Sequence, residues 1–148
     1  MVGEASAGSI QLTLKNLSGR RKNVDALFYL EPILAKEENV SAHRAFEKLF
    51  LTAKTFNDGV VFSRREGRST EKSSFAVCFG KDSEFELCLN RTELLKRPLG
   101  TSSLTENADF VPTKAEGEYF CPDLCFGGKT GIVLPPYSQK SVTLFFAY

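Results

Sequence analysis

A chain of 148 residues is long enough for one domain with a real core. Its hydrophobic fraction of 42% and charged fraction of 25% are those of an ordinary globular protein. With 19 basic against 18 acidic residues the net charge is +1, which argues against nucleic acid or an anionic membrane as partner, since both reward a concentrated positive field.

The start "MVGEASAGSI" lacks the basic and apolar segments of a secretory signal. No apolar run approaches the roughly 18 residues of a membrane span. The expected setting is cytoplasmic, without membrane insertion. Residues 1–8 read as a flexible lead and 9–148 as a single domain. "SIQLTLKN" places Ile10, Leu12 and Leu14 on one face and Gln11, Thr13 and Lys15 on the other, a strand with one wet face. Ser18-Gly19 marks a turn. In "NVDALFYLEPIL", Val24, Ala26, Phe28 and Leu30 share a face while Leu27 and Tyr29 lie opposite. That strand is expected to be covered on both sides and to end near Pro32, which cannot donate to a ladder.

"AKEENVSA" reads as a polar connection. "FEKLFLTAKTF" fits helix or strand, and Asp58-Gly59 after it is a hairpin signal. A charged loop, "REGRSTEKS", leads to two alternating strands, "SFAVCFG" and "EFELCL". "NRTELLKR" suits one or two helical turns ended before Pro98. Residues 98–117 read as a long surface loop. "GIVL", a "PPYSQK" turn and "SVTLFFAY" close the chain, with Val142, Leu144 and Phe146 on one side. Six to eight strands, with short helical turns only, predict an all-β antiparallel β-sandwich.

Candidate chemistry is sparse. The cysteines are Cys78, Cys88, Cys121 and Cys125. "CPDLC" has no second matching cluster, so no metal is expected. A Cys121–Cys125 disulfide needs an oxidising compartment, and structural thiols are the reading adopted. His43 in "HRAFEKLF" is the single histidine. No G-x-S-x-G elbow accompanies it, and Phe46, Leu49 and Phe50 suggest a packed structural corner rather than a catalytic base. Glu84 and Glu86 fit a solvated strand face rather than a paired-carboxylate site. Arg64, Arg65 and Arg68 fit a charged loop. Asn90, Arg91 and Arg97 admit two readings: a helix cap with arginines on backbone, or guanidinium donors for hydroxyls, carboxylates or phosphates. The sequons at Asn16, Asn39 and Asn90 matter only in a secreted eukaryotic chain. Tryptophan is absent, which disfavours sugar stacking on indole. No catalytic residue and no cofactor emerges.

Taken in order, "LTLKNLSGRRKNVDALFYLEPIL", "AHRAFEKLF", "VVFSRREGR", "FELCLNRTELLKR" and "GIVLPPYSQKSVTLFF" resemble a known family. It is the N-terminal β-sandwich of cellobiose-phosphorylase-like enzymes and cyclic β-1,2-glucan synthases, glycoside phosphorylases once grouped as glycosyltransferase family 36. Its members show a strand ending in Tyr-x-Glu, a His-Pro-Ala-Phe-Ser-Lys-Leu-Phe-like stretch and an Asp-Arg-x-x-Phe-Leu-Gly-Arg-like turn. The resemblance spans about residues 9 to 148, and His43, Ala45, Phe46, Lys48, Leu49 and Phe50 match its most specific stretch.

The resemblance implies a galactose-mutarotase-like supersandwich that is not itself catalytic. The chemistry would lie on a separate (α/α)6 barrel, with the sandwich supporting barrel and homodimer and lending loops near the sugar. It implies that Asn90, Arg91 and Arg97 contact a β-glucan oligosaccharide. Asn90 stands for the usual Asp, Leu94, Leu95 and Lys96 for Phe-Leu-Gly, Arg44 for a proline, and Cys121-Pro122 for Asp-Pro. These departures fit a diverged copy that is mainly scaffold. The family sandwich is longer, and an edge left by strands without a counterpart here would invite dimerisation. The alternative is a protein-interaction or dimerisation sandwich that binds no sugar.

Overall fold

The computed structural model describes residues 6–56, 59–65, 73–80, 84–95, 110–113 and 117–148, the side chain of Arg44 excepted. Arg68, Arg97, Asp58 and most of the expected loop at 98–117 lie outside the described residues. Among the described residues, nine strands and two helices run in the order β1 (Ala7–Lys15), β2 (Lys22–Leu30), α1 (Glu37–Lys48), β3 (Leu51–Phe56), β4 (Gly59–Arg64), β5 (Ser74–Phe79), β6 (Glu86–Asn90), α2 (Arg91–Leu95), β7 (Gly117–Tyr119), β8 (Leu124–Leu134) and β9 (Gln139–Ala147). They form a six-stranded sheet, β1-β9-β5-β4-β3-β7, and a three-stranded sheet, β2-β8-β6, with every pairing antiparallel. The expected sandwich is therefore present. Its first strand starts at Ala7, paired with Ala147.

The two sheets close on each other through the alternating residues. Leu51, Ala53, Val60, Phe62, Val77 and Leu144 from the large sheet meet Leu89, Leu124 and Phe126 from the small one. Phe62 and Phe126 are fully buried, and Phe79 bridges the layers with ring centroids 3.8 Å from Phe85 and 5.6 Å from Phe126. A second cluster joins Ala26, Ile132, Leu134 and Val142, flanked by Leu12, Leu14 and Val24. Burial on this scale is the main favourable contribution to folding.

The turn after β1 is held by Asn16, which is only 2% exposed. Its amide nitrogen donates to the carbonyls of Arg20, Leu134 and Pro135, and its oxygen accepts from the Ser18 backbone N–H and hydroxyl. Asn16 is thus a structural asparagine.

Three expectations need correction. "AKEENVSA" is not a connection, because α1 begins at Glu37 and runs to Lys48, broken at His43 where φ is −148° and ψ is 65°. The break leaves two short helical pieces. β7 was unforeseen because three residues carry too little alternation to read. β8 begins at Leu124, well before "GIVL", because its Gly127-Gly128 step mimics a loop. Gly127 has another purpose: a Cβ there would lie 2.6 Å from Leu94 Cδ2 and 3.2 Å from the Cys88 carbonyl oxygen. Its absence lets α2 settle on the outer face of β8, where Leu94, Cys88 and Cys125 form a small buried cluster against Tyr29. Tyr29 is covered by that cluster, so the outer face of β2 is sheltered at this end.

The β3–β4 hairpin pairs Phe56 with Gly59, so Gly59 sits on the ladder itself. A Cβ at Gly59 would meet the Val77 carbonyl oxygen at 2.0 Å, whereas one at Gly117 meets nothing nearer than 3.8 Å. Gly59→Ala is expected to cost about 2 kcal/mol or more through overpacking against backbone, and Gly117→Ala to stay within about 0.5 kcal/mol. Urea midpoints of the two variants check this difference.

Candidate functional site

At the end of the sandwich where β2 stops, four charged side chains from four separate segments converge. Tyr29 and Glu31 are two residues apart on one strand direction, so both project to the outer face toward α2. Pro32 follows and ends the strand, leaving Glu31 at its mouth. Lys48 is the last residue of α1 and Arg91 the first of α2. Asp123 lies in the turn that opens β8, and its backbone carbonyl accepts from the Arg91 N–H at 3.0 Å. Asn90 sets the start of α2 by accepting from the Thr92 N–H at 3.0 Å, the capping role open to Asn.

The charges satisfy one another. Lys48 Nζ donates to Glu31 Oε2 at 2.5 Å and to Asp123 Oδ1 at 3.3 Å. Arg91 Nε donates to Glu31 Oε1 at 2.9 Å, and its Nη1 to Asp123 Oδ2 at 3.4 Å. The Tyr29 hydroxyl donates to the same Glu31 carboxylate. The Lys48 side chain is only 7% exposed, Glu31 20% and Asp123 19%, so each charge depends on its partners. A second pair, Arg64 with Glu47, lies beside it, and the Arg64 guanidinium also covers Phe50 at 5.2 Å from the ring centroid.

These contacts fix the protonation states. Burial would raise the Glu31 pKa, but donation from Lys48, Tyr29 and Arg91 outweighs it and lowers the value to about 2. Burial and the neighbouring Glu31 push the Tyr29 phenol well above its ordinary range. The hydrogen bond to Glu31 raises Arg91 despite partial burial. A carboxylate held this low cannot act as an acid near neutrality, and a phenol held this high cannot act as a base. Nor are the nearby thiols activated, because burial raises both Cys88 and Cys125. Among the described residues, no cluster of three or more His, Cys, Asp or Glu is placed to hold a metal. No helix among them is long and apolar enough to cross a membrane.

Around the charges opens a cleft of about 810 Å³, whose other walls are Ala45, Phe46, Leu49 and Pro122. Here the expected packed corner is overturned. Phe46 and Leu49 are each 55% exposed, and His43 is exposed at the helix break. The segment turns its apolar residues outward because the buried side of this helix is taken by Glu47 and Lys48, which reach inward to Arg64 and Glu31.

Of the three residues put forward for sugar contact, Asn90 caps α2 and Arg91 lines the cleft. Arg97 lies outside the described residues. The Arg91 side chain bonds carboxylates rather than the backbone that the helix-cap reading assigned to it. Glu84 and Glu86 are exposed, as a wet face requires. Arg64 is not part of a solvated loop but of the inner pair just described. Sequence reasoning missed Glu31, Lys48 and Asp123. Two of them stand in the quoted strings "YLEP" and "AFEKLF", where the Tyr-x-Glu and Lys positions were visible.

The family description "glycosyl hydrolase 94, supersandwich domain" matches residues 3–147. Among curated proteins no relative matches the chain.

The Glu31 shift carries a pH dependence. Its folded value of about 2 lies below the ordinary 4.5, so ionised Glu31 stabilises the fold above the ordinary value. That contribution is lost as pH falls from about 4.5 to about 2. Glu31→Gln is expected to flatten the acid limb of the stability profile in that window, measured by urea midpoints against pH. Lys48→Met leaves two sheltered carboxylates short of a partner and is expected to cost about 2–3 kcal/mol at neutral pH.

Proposed function

The chain belongs to the glycosyl hydrolase 94 supersandwich family, a non-catalytic domain of glycoside phosphorylases, and we propose that it serves as the carbohydrate-associated framework of such an enzyme. The enzyme would be of the cellobiose-phosphorylase or cyclic β-1,2-glucan-synthase type, working in the cytoplasm. The partner would be its (α/α)6 catalytic barrel. The observation that carries the framework role is the self-neutralised cluster of Glu31, Asp123, Lys48 and Arg91. Its contacts hold Glu31 ionised and tie four segments together.

The exposed Phe46 and Leu49 beside this cluster support a covering partner, because apolar groups rimmed by charge mark contact surfaces. Any glucan contact by the sandwich would involve Asn90 and Arg91, with Arg97 beside them in the sequence. Arg91 already bonds two carboxylates, so glucan held by it alone should bind weakly.

Two measurements test the proposal. The purified chain is expected to turn over no glucan or cellobiose in the presence of phosphate. A β-glucan oligosaccharide titrated by NMR is expected to bind weakly, at about millimolar strength, with shifts confined to the Arg91 cleft. Arg91→Lys, which keeps the charge but loses the planar fork, should abolish those shifts. Turnover by the chain alone would defeat the framework role. Shifts remote from Arg91 would defeat the proposed contact.

A further inference from the structure

The small sheet is unfinished beside β8. Glu86 of β6 pairs with Lys129, and beyond that point β8 runs on to Leu134 with no described strand along that side. An antiparallel strand turns the N–H and C=O groups of alternate residues to each side. From Thr130 to Leu134, half of these groups bond to β2 and half face the gap. The gap opens into a cavity of about 730 Å³ between β8, the start of β6 and the start of β9, a size that suits a small ligand. It shares no lining residue with the Arg91 cleft.

The walls are of three kinds. Ile132 and Val142, buried in the second core cluster, form an apolar floor with Phe85 beside them. Glu84 and Glu86 stand on the β6 side and Lys140 on the β9 side. Glu86 lies across the ladder from Lys129, but Lys129 bonds Asp25 instead, at 3.3 Å. Among the described residues, Glu84, Glu86 and Lys140 make no ion pair. The third element is Thr130, which is only 4% exposed. Among the described residues no hydrogen bond occupies its hydroxyl. Every described side-chain oxygen that is sealed from solvent does have a partner, so the Thr130 hydroxyl opens to the cavity it lines. Such a group is uncommon, because polar groups at this depth are normally bonded. In the Arg91 cleft the charges bond one another, whereas here they stand uncommitted across a gap.

We propose that this cavity binds a short zwitterionic peptide with apolar side chains. The ammonium end meets Glu84 and Glu86, and the carboxylate end meets Lys140. The apolar side chains rest on Ile132, Val142 and Phe85. The peptide amides bond the open edge of β8, as an added strand does, and the Thr130 hydroxyl. Opposite charges held apart across one cavity are both satisfied only by a ligand that carries both signs, and a saccharide carries neither. The site does not involve Arg91 and does not rest on the framework role.

Titration of the 148-residue chain with dileucine, followed by the NMR signals of its backbone amides, tests it. The expected dissociation constant is about 1 mM or tighter, with shifts at Thr130, Gly131, Ile132 and Lys140. N-acetyl-dileucine lacks the ammonium and dileucine amide lacks the carboxylate, so each should bind about tenfold more weakly. Lys140→Met should weaken dileucine about tenfold and leave dileucine amide unaffected, a pattern that general loss of structure does not give. Thr130→Val removes the hydroxyl but keeps the side-chain shape, and should weaken dileucine about threefold. Cellobiose should leave these amides unmoved. Absence of dileucine shifts, shifts elsewhere, or equal binding of the two blocked peptides would overturn the proposal. So would cellobiose moving these amides while dileucine does not. The framework role, read by turnover, stands or falls apart from these outcomes.

Discussion

The carboxylate of Glu31, gripped by Lys48 on one oxygen and by Arg91 on the other, is the contact on which this end of the molecule depends. Removing charges from water is costly unless partners replace the lost hydration. Glu31 meets that condition only because four chain segments arrive together: the end of β2, the end of α1, the start of α2 and the turn before β8. The reverse holds for each segment. The Lys48 side chain is only 7% exposed and has its place because two carboxylates receive it. The hydrophobic core fixes the sheets, while this polar knot fixes how the connections leave them.

The same knot limits the chemistry. Acid–base catalysis needs a group that changes protonation near working pH, and here mutual neutralisation moves Glu31 and Tyr29 away from that range. Burial does likewise to the thiols beneath α2. What remains available is surface: Phe46, Leu49 and Pro122 around a cleft whose charged floor is already occupied by its own partners. Groups held so far from working pH agree with membership of a family of non-catalytic sandwich domains.

Much of the fold is legible in the sequence where one face is wet and the other dry. β1 and β9 alternate cleanly, and Leu12, Leu14, Val142 and Leu144 fall on the inner side as read. Legibility fails where tertiary contacts set the pattern. α1 is polar because its inward residues, Glu47 and Lys48, answer charges elsewhere in the chain. The early part of β8 resembles a loop because Gly127 makes room for Leu94. The site is harder still, since Glu31, Lys48, Arg91 and Asp123 have no shared spacing and meet only through the crossing of two sheets. The family resemblance included Arg91, Lys48 and the Tyr-x-Glu strand end, but gave no sign that they meet as partners.

The central claim is that Glu31 and Arg91 act as a structural couple. A double-mutant cycle with Glu31→Gln and Arg91→Met, read by equilibrium urea unfolding at neutral pH, tests it most directly. The account predicts a coupling energy of about 1–3 kcal/mol, in the range for contacting members of one network. Additivity of the two substitutions to within about 0.5 kcal/mol would contradict it.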